Sequence, residues 1–201
     1  QAIADKFQRD QGVTYDKSQI LVSCGAKHSL YNLFQALIDP GDEVIIPAPY
    51  WVSYPDQVLL ADGTPIILET RESENYAIDP NALEACITPK TKALILNSPS
   101  NPSGSIYTRD TLRQVAAIAN KHKILVISDE IYEKLVFGEP PFLSIVTVAP
   151  ECTEQTVVVN GISKAYAMTG WRVGYAAGPK NLIAAMSKIQ GQSTSNPTSI
   201  S

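Results

Sequence analysis

The sequence predicts an α/β protein: a mostly parallel, seven-stranded sheet flanked by helices. Three observations carry this. Seven short runs rich in Val, Ile and Leu recur along the 201 residues. Most lack in-and-out alternation, as strands covered on both faces do. Helical patterns lie between several of them, which is the signature of strand–helix–strand units with right-handed crossovers.

The strand runs are Ile20–Ser23, Glu43–Ile46, Thr64–Leu68, Ala93–Asn97, Ile124–Asp129, Thr156–Asn160 and Val173–Ala177. Gln1–Gln11 sets Ile3, Ala4 and Phe7 on one helical face and stops at Gly12. Ser29–Ile38 closes at Pro40-Gly41 and Tyr54–Ala61 at Asp62-Gly63, while Thr108 is a suitable N-cap for a helix over Thr108–Lys121. Asn196-Pro197 reads as an N-cap followed by proline at the first helical position, with about one turn of chain after it. The first helix has no capping residue before it, so both ends read as interior to a longer protein.

Composition narrows the function. Sixteen basic against 20 acidic side chains give a formal charge of −4, without blocks of like sign, which argues against a nucleic-acid footprint. Every apolar run is far shorter than the ~20 residues a membrane-spanning helix needs. Cys24, Cys86 and Cys152 are too widely spaced for a metal clip or a disulfide framework, and His28 and His122 have no zinc-ligand spacing, so no metal site is expected. A reducing, cytoplasmic location is the expectation; a targeting peptide would lie upstream of Gln1.

In open α/β sheets ligands collect beyond the carboxyl ends of the strands. Polar residues follow the apolar runs there at Gly25-Ala26-Lys27, at Asn97 through Gly104, at Asp129 with Tyr132, and at Ser163-Lys164. No Gly-x-Gly-x-x-Gly occurs, so a dinucleotide fold is not indicated. Lys164 lies among Ile162, Ala165, Ala167 and Met168. It is either a snorkelling surface lysine or a Schiff-base lysine whose amine is made nucleophilic by apolar surroundings. Asp129 is either a helix cap or the carboxylate that keeps a pyridine ring protonated. A Schiff-base lysine with a carboxylate at the pyridinium nitrogen is what proteins contribute to pyridoxal phosphate chemistry.

Three motifs in order, Asn97-Ser-Pro-Ser-Asn-Pro-Ser-Gly104, Ser128-Asp-Glu-Ile-Tyr132 and Ser163-Lys-Ala-Tyr-Ala-Met-Thr-Gly-Trp-Arg172, resemble the class I aminotransferases of pyridoxal phosphate fold type I. The likeness covers the whole chain, including Asp39-Pro-Gly-Asp-Glu-Val44. Pro49-Tyr-Trp-Val-Ser-Tyr-Pro55 resembles the prokaryotic-type aspartate aminotransferases. The resemblance implies that residues 1–201 are the cofactor-binding large domain, without the family's N-terminal segment and C-terminal small domain.

It implies roles as well. Lys164 would form the aldimine and carry the proton, Asp129 would pair with the ring nitrogen, and Tyr132 and Asn101 would hydrogen-bond the ring's phenolic oxygen. Arg172 and the backbone N–H groups of Gly25, Ala26 and Lys27 would hold the phosphate. Trp51 would stack on the ring, and Lys27 would receive the distal carboxylate of aspartate or glutamate. Each has a plainer alternative: an Asn-Pro turn at Asn101, a surface ion pair at Arg172, core packing at Trp51, a solvated helix-start lysine at Lys27. Gly161 departs from the pattern, standing where many relatives carry serine.

The implied activity is amino transfer between an acidic amino acid and a 2-oxo acid in a homodimer, with Gln192–Asn196 as candidate contact residues. The alternatives are a β-eliminating lyase on the same scaffold and a domain that binds cofactor without turnover.

Overall fold

The computed structural model describes the whole chain, Gln1–Ser201. Seven strands form one sheet: β1 (Ile20–Ser23), β2 (Glu43–Pro47), β3 (Thr64–Leu68), β4 (Thr91–Asn97), β5 (Leu125–Asp129), β6 (Thr156–Gly161) and β7 (Gly174–Ala177). Their order across the sheet is β1-β7-β6-β5-β4-β2-β3. β2 to β6 pair in parallel, and β7 is antiparallel to both of its neighbours. The expected architecture is therefore present, with a single strand reversed.

Apolar residues in succession serve both faces, because neighbouring side chains on a strand point to opposite sides. Val44, Ile46, Ile95, Ile127, Val157 and Val159 pack under α2 (Ala26–Leu37), α3 (Ser53–Leu59) and α7 (Lys180–Gly191). Ile45, Leu94, Leu96, Val126 and Val158 face α1 (Ala2–Gln11), α4 (Pro80–Cys86), α5 (Arg109–His122) and the short α6 (Ile145–Val148). β6 is buried at every position, which explains why its sequence shows no alternation.

Helix ends follow local chemistry. Thr108 caps α5 by accepting the Thr111 N–H, and Gly12 ends α1 in the left-handed region at φ 71°. Sequence patterning gives no helix at α4 or α7. α4 has a legible start, since Asp79 accepts the Asn81 N–H and Pro80 sits in the first turn. α7 has no side-chain cap and buries only Ile183, Met186 and Gln190, so its periodicity is weak. It is held by α2, where Asn32 donates to the Gln190 carboxamide at 3.0 Å. The N-cap expected at Asn196-Pro197 does not form; residues 196–201 make turns, too short a piece for a stable helix. No helix is long and apolar enough to cross a membrane.

Candidate active site

The carboxyl ends of β1, β4, β5 and β6 meet at one rim. The reversed β7 brings its amino end to the same place, with Gly174 opposite both Ser23 and Gly161. The segment entering β7 therefore delivers Arg172 to the mouths of its neighbours. A pocket of about 330 Å³ opens there, lined among others by Lys27, Trp51, Asn101, Asp129, Lys164 and Arg172. Residues far apart in sequence thus converge as their motifs suggested.

Asp129 forms the floor. It is 3% exposed, at the last position of β5. Its Oδ2 accepts from the Tyr54 hydroxyl at 2.8 Å and its Oδ1 from the Ile131 N–H at 3.2 Å, so it serves as a turn cap and a pocket acid at once. Burial pushes its carboxyl up to about 6, and these two hydrogen bonds oppose the rise only in part. No Lys, Arg or His forms an ion pair with it.

Tyr54 is a residue that sequence reasoning missed. It lies inside the Pro49–Pro55 motif, but nothing in that motif signals a bond to a strand 75 residues away. It is fully buried, and burial together with the Asp129 charge holds its phenol well above the ordinary range, which keeps it a donor. Asn97, which opens the Asn97–Gly104 motif, has a role that the motif does not disclose. Its side chain donates to the Asp129 carbonyl at 3.1 Å and accepts the Asn101 N–H at 2.7 Å, so one amide fixes both the end of β5 and the loop that presents Asn101.

Tyr132 lies half-buried at the pocket wall. Burial, first, and the Asp129 charge raise its phenol, while the Asn101 side chain works against the rise. Lys164 Nζ is 5.8 Å from the centre of the Tyr132 ring. The apolar shelter that its sequence neighbours suggest is not there: Lys164 is exposed, on the turn leaving β6. That turn carries the side chain to the open mouth of the pocket, so apolar neighbours in sequence do not become neighbours in space.

The phosphate cradle expected from the sequence needs one correction. The Gly25 N–H already donates to the Ser23 carbonyl at 2.7 Å, which leaves the first N–H groups of α2, at Ala26 and Lys27, as the available donors. Gly25 provides clearance instead. Its φ is 95°, and a Cβ there would stand 2.3 Å from the Arg172 guanidinium. Gly174 does likewise for α2, since a Cβ on it would lie 2.1 Å from the Ala26 nitrogen.

Arg172 donates to the carbonyls of Thr169 at 3.0 Å and Cys24 at 3.4 Å and has no carboxylate partner, so the surface ion-pair alternative does not describe it. At Gly161 a Cβ would lie 2.8 Å from the Val173 carbonyl oxygen, so this backbone has no room for a serine there. Trp51 stands edge-to-face with Tyr54 at 5.4 Å, and Lys27 Nζ lies 4.8 Å from the centre of its ring.

Gly25→Ala is expected to destabilise the fold by about 1–3 kcal/mol, because an L side chain at this φ is strained. It should also displace Arg172 and weaken phosphate-ester binding on the order of tenfold. Thermal melts and a pyridoxal phosphate titration read the two effects; unchanged affinity would refute the cradle.

A family model described as aminotransferase class I and II matches residues 1–201. Among curated proteins the chain is 54% identical over 198 residues to an aspartate aminotransferase of Geobacillus stearothermophilus, covering 98% of this chain and 50% of that protein. It is 51% identical over 201 residues to an aspartate/prephenate aminotransferase of Nitrosomonas europaea, covering 100% of this chain and 51% of that protein. Among solved structures, an aspartate aminotransferase from Thermus thermophilus with maleate superposes with a TM-score of 0.95 at 47% identity, over 99% of this chain and 51% of that one. An aspartate aminotransferase from Rhizobium meliloti gives 0.97 at 45% identity, over 99% and 50%. The chain spans about half the length of the curated relatives it matches.

Proposed function

The chain belongs to the class I and II aminotransferases, and from that membership we propose that the protein moves an amino group between aspartate or glutamate and a 2-oxo acid, with pyridoxal phosphate bound in the pocket at the strand ends. The single observation that carries this reading is the convergence of Lys164, a buried Asp129 without a cationic partner, and an Arg172 without an anionic one in the same pocket.

The residues fit the cofactor in chemistry. A buried carboxylate whose partners are only a hydroxyl and an N–H is suited to a protonated ring nitrogen, and the guanidinium with the α2 N-terminus is suited to a phosphate. When bound, the cofactor supplies an electron-withdrawing ring that stabilises negative charge at the substrate α-carbon. The protein's own residues do the rest. Lys164, an amine at the mouth, takes the α-proton and returns it. Asp129 would hold the ring nitrogen charged, and Tyr132 and Asn101 would donate hydrogen bonds to the ring oxygen. Trp51 would offer a flat face to the ring. The complete enzyme would act as a homodimer.

Lys27 sets the substrate class in this reading. Its ammonium, beside Trp51 at the edge of the pocket, is placed to receive a second carboxylate. Lys27→Ala is expected to raise KM for aspartate and glutamate on the order of tenfold or more, with much less effect on alanine or an aromatic donor. Steady-state assays over a panel of donors, with 2-oxoglutarate and oxaloacetate as acceptors, test both levels. An equal effect on every donor removes Lys27 from the specificity site. Pyruvate and ammonia released without an acceptor, from a donor carrying a β leaving group, would overturn amino transfer itself.

A further inference from the structure

Behind the pocket floor lies a buried charged cluster that the proposed chemistry does not use. In the segment from Asp129 to Glu133, Asp129 and Tyr132 line the pocket, while Glu130 and Glu133 turn toward α1 and are 1% and 8% exposed. Lys6 reaches Glu133 at 2.7 Å, and both side chains are almost fully buried. Gln11 donates to Glu130 at 2.8 Å and, more weakly, to Glu133 at 3.4 Å. Ser128 and Ser144 donate to the other Glu130 oxygen at 2.9 and 2.6 Å. The turn is tied by its backbone too, from Glu130 N–H to the Val159 carbonyl and from Glu133 N–H to the Glu130 carbonyl, both at 2.9 Å.

A buried ion pair adds little net stability, because desolvation offsets the attraction; an apolar pair of similar volume often serves as well or better. What the polar cluster does supply is fixed length and direction on both sides of Tyr132. We infer that Lys6, Gln11, Glu130 and Glu133 are positioning residues, which hold the Asp129–Glu133 turn so that the Tyr132 ring keeps its place beside Lys164. This rests on the proposed amino transfer for its consequence, but the placement itself is measurable without it.

The test separates stability from placement. The double variant Lys6→Met/Glu133→Leu removes the two charges of the pair together, so neither partner is left buried without the other, and Glu130 loses the opposing charges of Lys6 and Glu133 at once. The protein is labelled with 13C at the tyrosine ζ-carbon, the Tyr132 signal is assigned with Tyr132→Phe, and its phenol is titrated without cofactor. The expected result is a cooperative melt within a few degrees of the parent, with the Tyr132 signal shifted or broadened and its titration moved toward the ordinary phenol range. Gln11→Met should move the same signal the same way, and Lys6→Arg should leave it in place.

In the cofactor-loaded protein, kcat should fall on the order of tenfold or more while KM changes little. An unmoved Tyr132 signal overturns the inference whatever the activity. A double variant that loses its cooperative melt also overturns it, since the pair would then support the fold and not the tyrosine. A parent protein without amino transfer would remove the proposed function and leave the tyrosine measurement to decide the placement.

Discussion

Lys164→Ala is expected to lower the proposed amino transfer by roughly four orders of magnitude or more, since one side chain is asked to serve both as covalent partner and as proton carrier. Two lysines line the pocket, Lys164 and Lys27, and their settings differ. Lys27 sits at the start of α2 with its ammonium against the Trp51 ring, where a fixed cation is stabilised. Lys164 sits on the turn after β6, near Tyr132, and is exposed at the pocket mouth. The prediction is therefore selective. Borohydride treatment with pyridoxal phosphate, followed by mass spectrometry, should find a covalent adduct on Lys164 in the parent and in Lys27→Ala. It should find none in Lys164→Ala. An equal adduct yield in that variant would assign the nucleophile elsewhere.

Fold and site were legible in the sequence to different depths. The strands could be read because burial on both faces demands continuous apolar runs, and β1 and β3 match those runs end to end. The reversal of β7 could not, because strand direction depends on partners and not on composition. The pocket residues announced themselves through motifs, yet motifs are silent on environment. The apolar sequence neighbours of Lys164 do not shelter it. Gly25 proved to be a matter of clearance and not of donation. Tyr54, Asn97 and the Lys6–Glu133 pair are invisible in the same sense. Each acts through a contact made only when distant elements meet.

Asp129→Asn should move stability and activity in opposite directions. In the unfolded chain this carboxyl titrates near the ordinary value of 3.8; in the fold, burial raises it to about 6. The folded state therefore holds more protons than the unfolded state between those limits, so stability of the cofactor-free protein falls as pH rises through that window and is level above it. The penalty is on the order of 3 kcal/mol at neutral pH.

Glu130 extends the decline, since burial raises its carboxyl from 4.5 to about 7, with the Glu133 charge adding and its serine donors and Lys6 opposing. An uncharged asparagine escapes the Asp129 penalty. It can still accept from Tyr54, but it then turns an N–H toward the Ile131 N–H, and the lost bond costs about 1 kcal/mol. The net gain of about 2 kcal/mol at pH 7 corresponds to a melting temperature roughly 4–8 °C higher, with a flatter profile below pH 6.

The same variant cannot present a full negative charge to a protonated ring nitrogen. Turnover should drop on the order of a thousandfold, as when one preorganised electrostatic contact is removed from a dry site. Melts of the cofactor-free protein from pH 4.5 to 8, set beside steady-state rates, read both effects. A parent profile that is level across this range would mean that Asp129 is ionised at no cost, and with that the argument that its unpaired burial selects a cationic ring would fail.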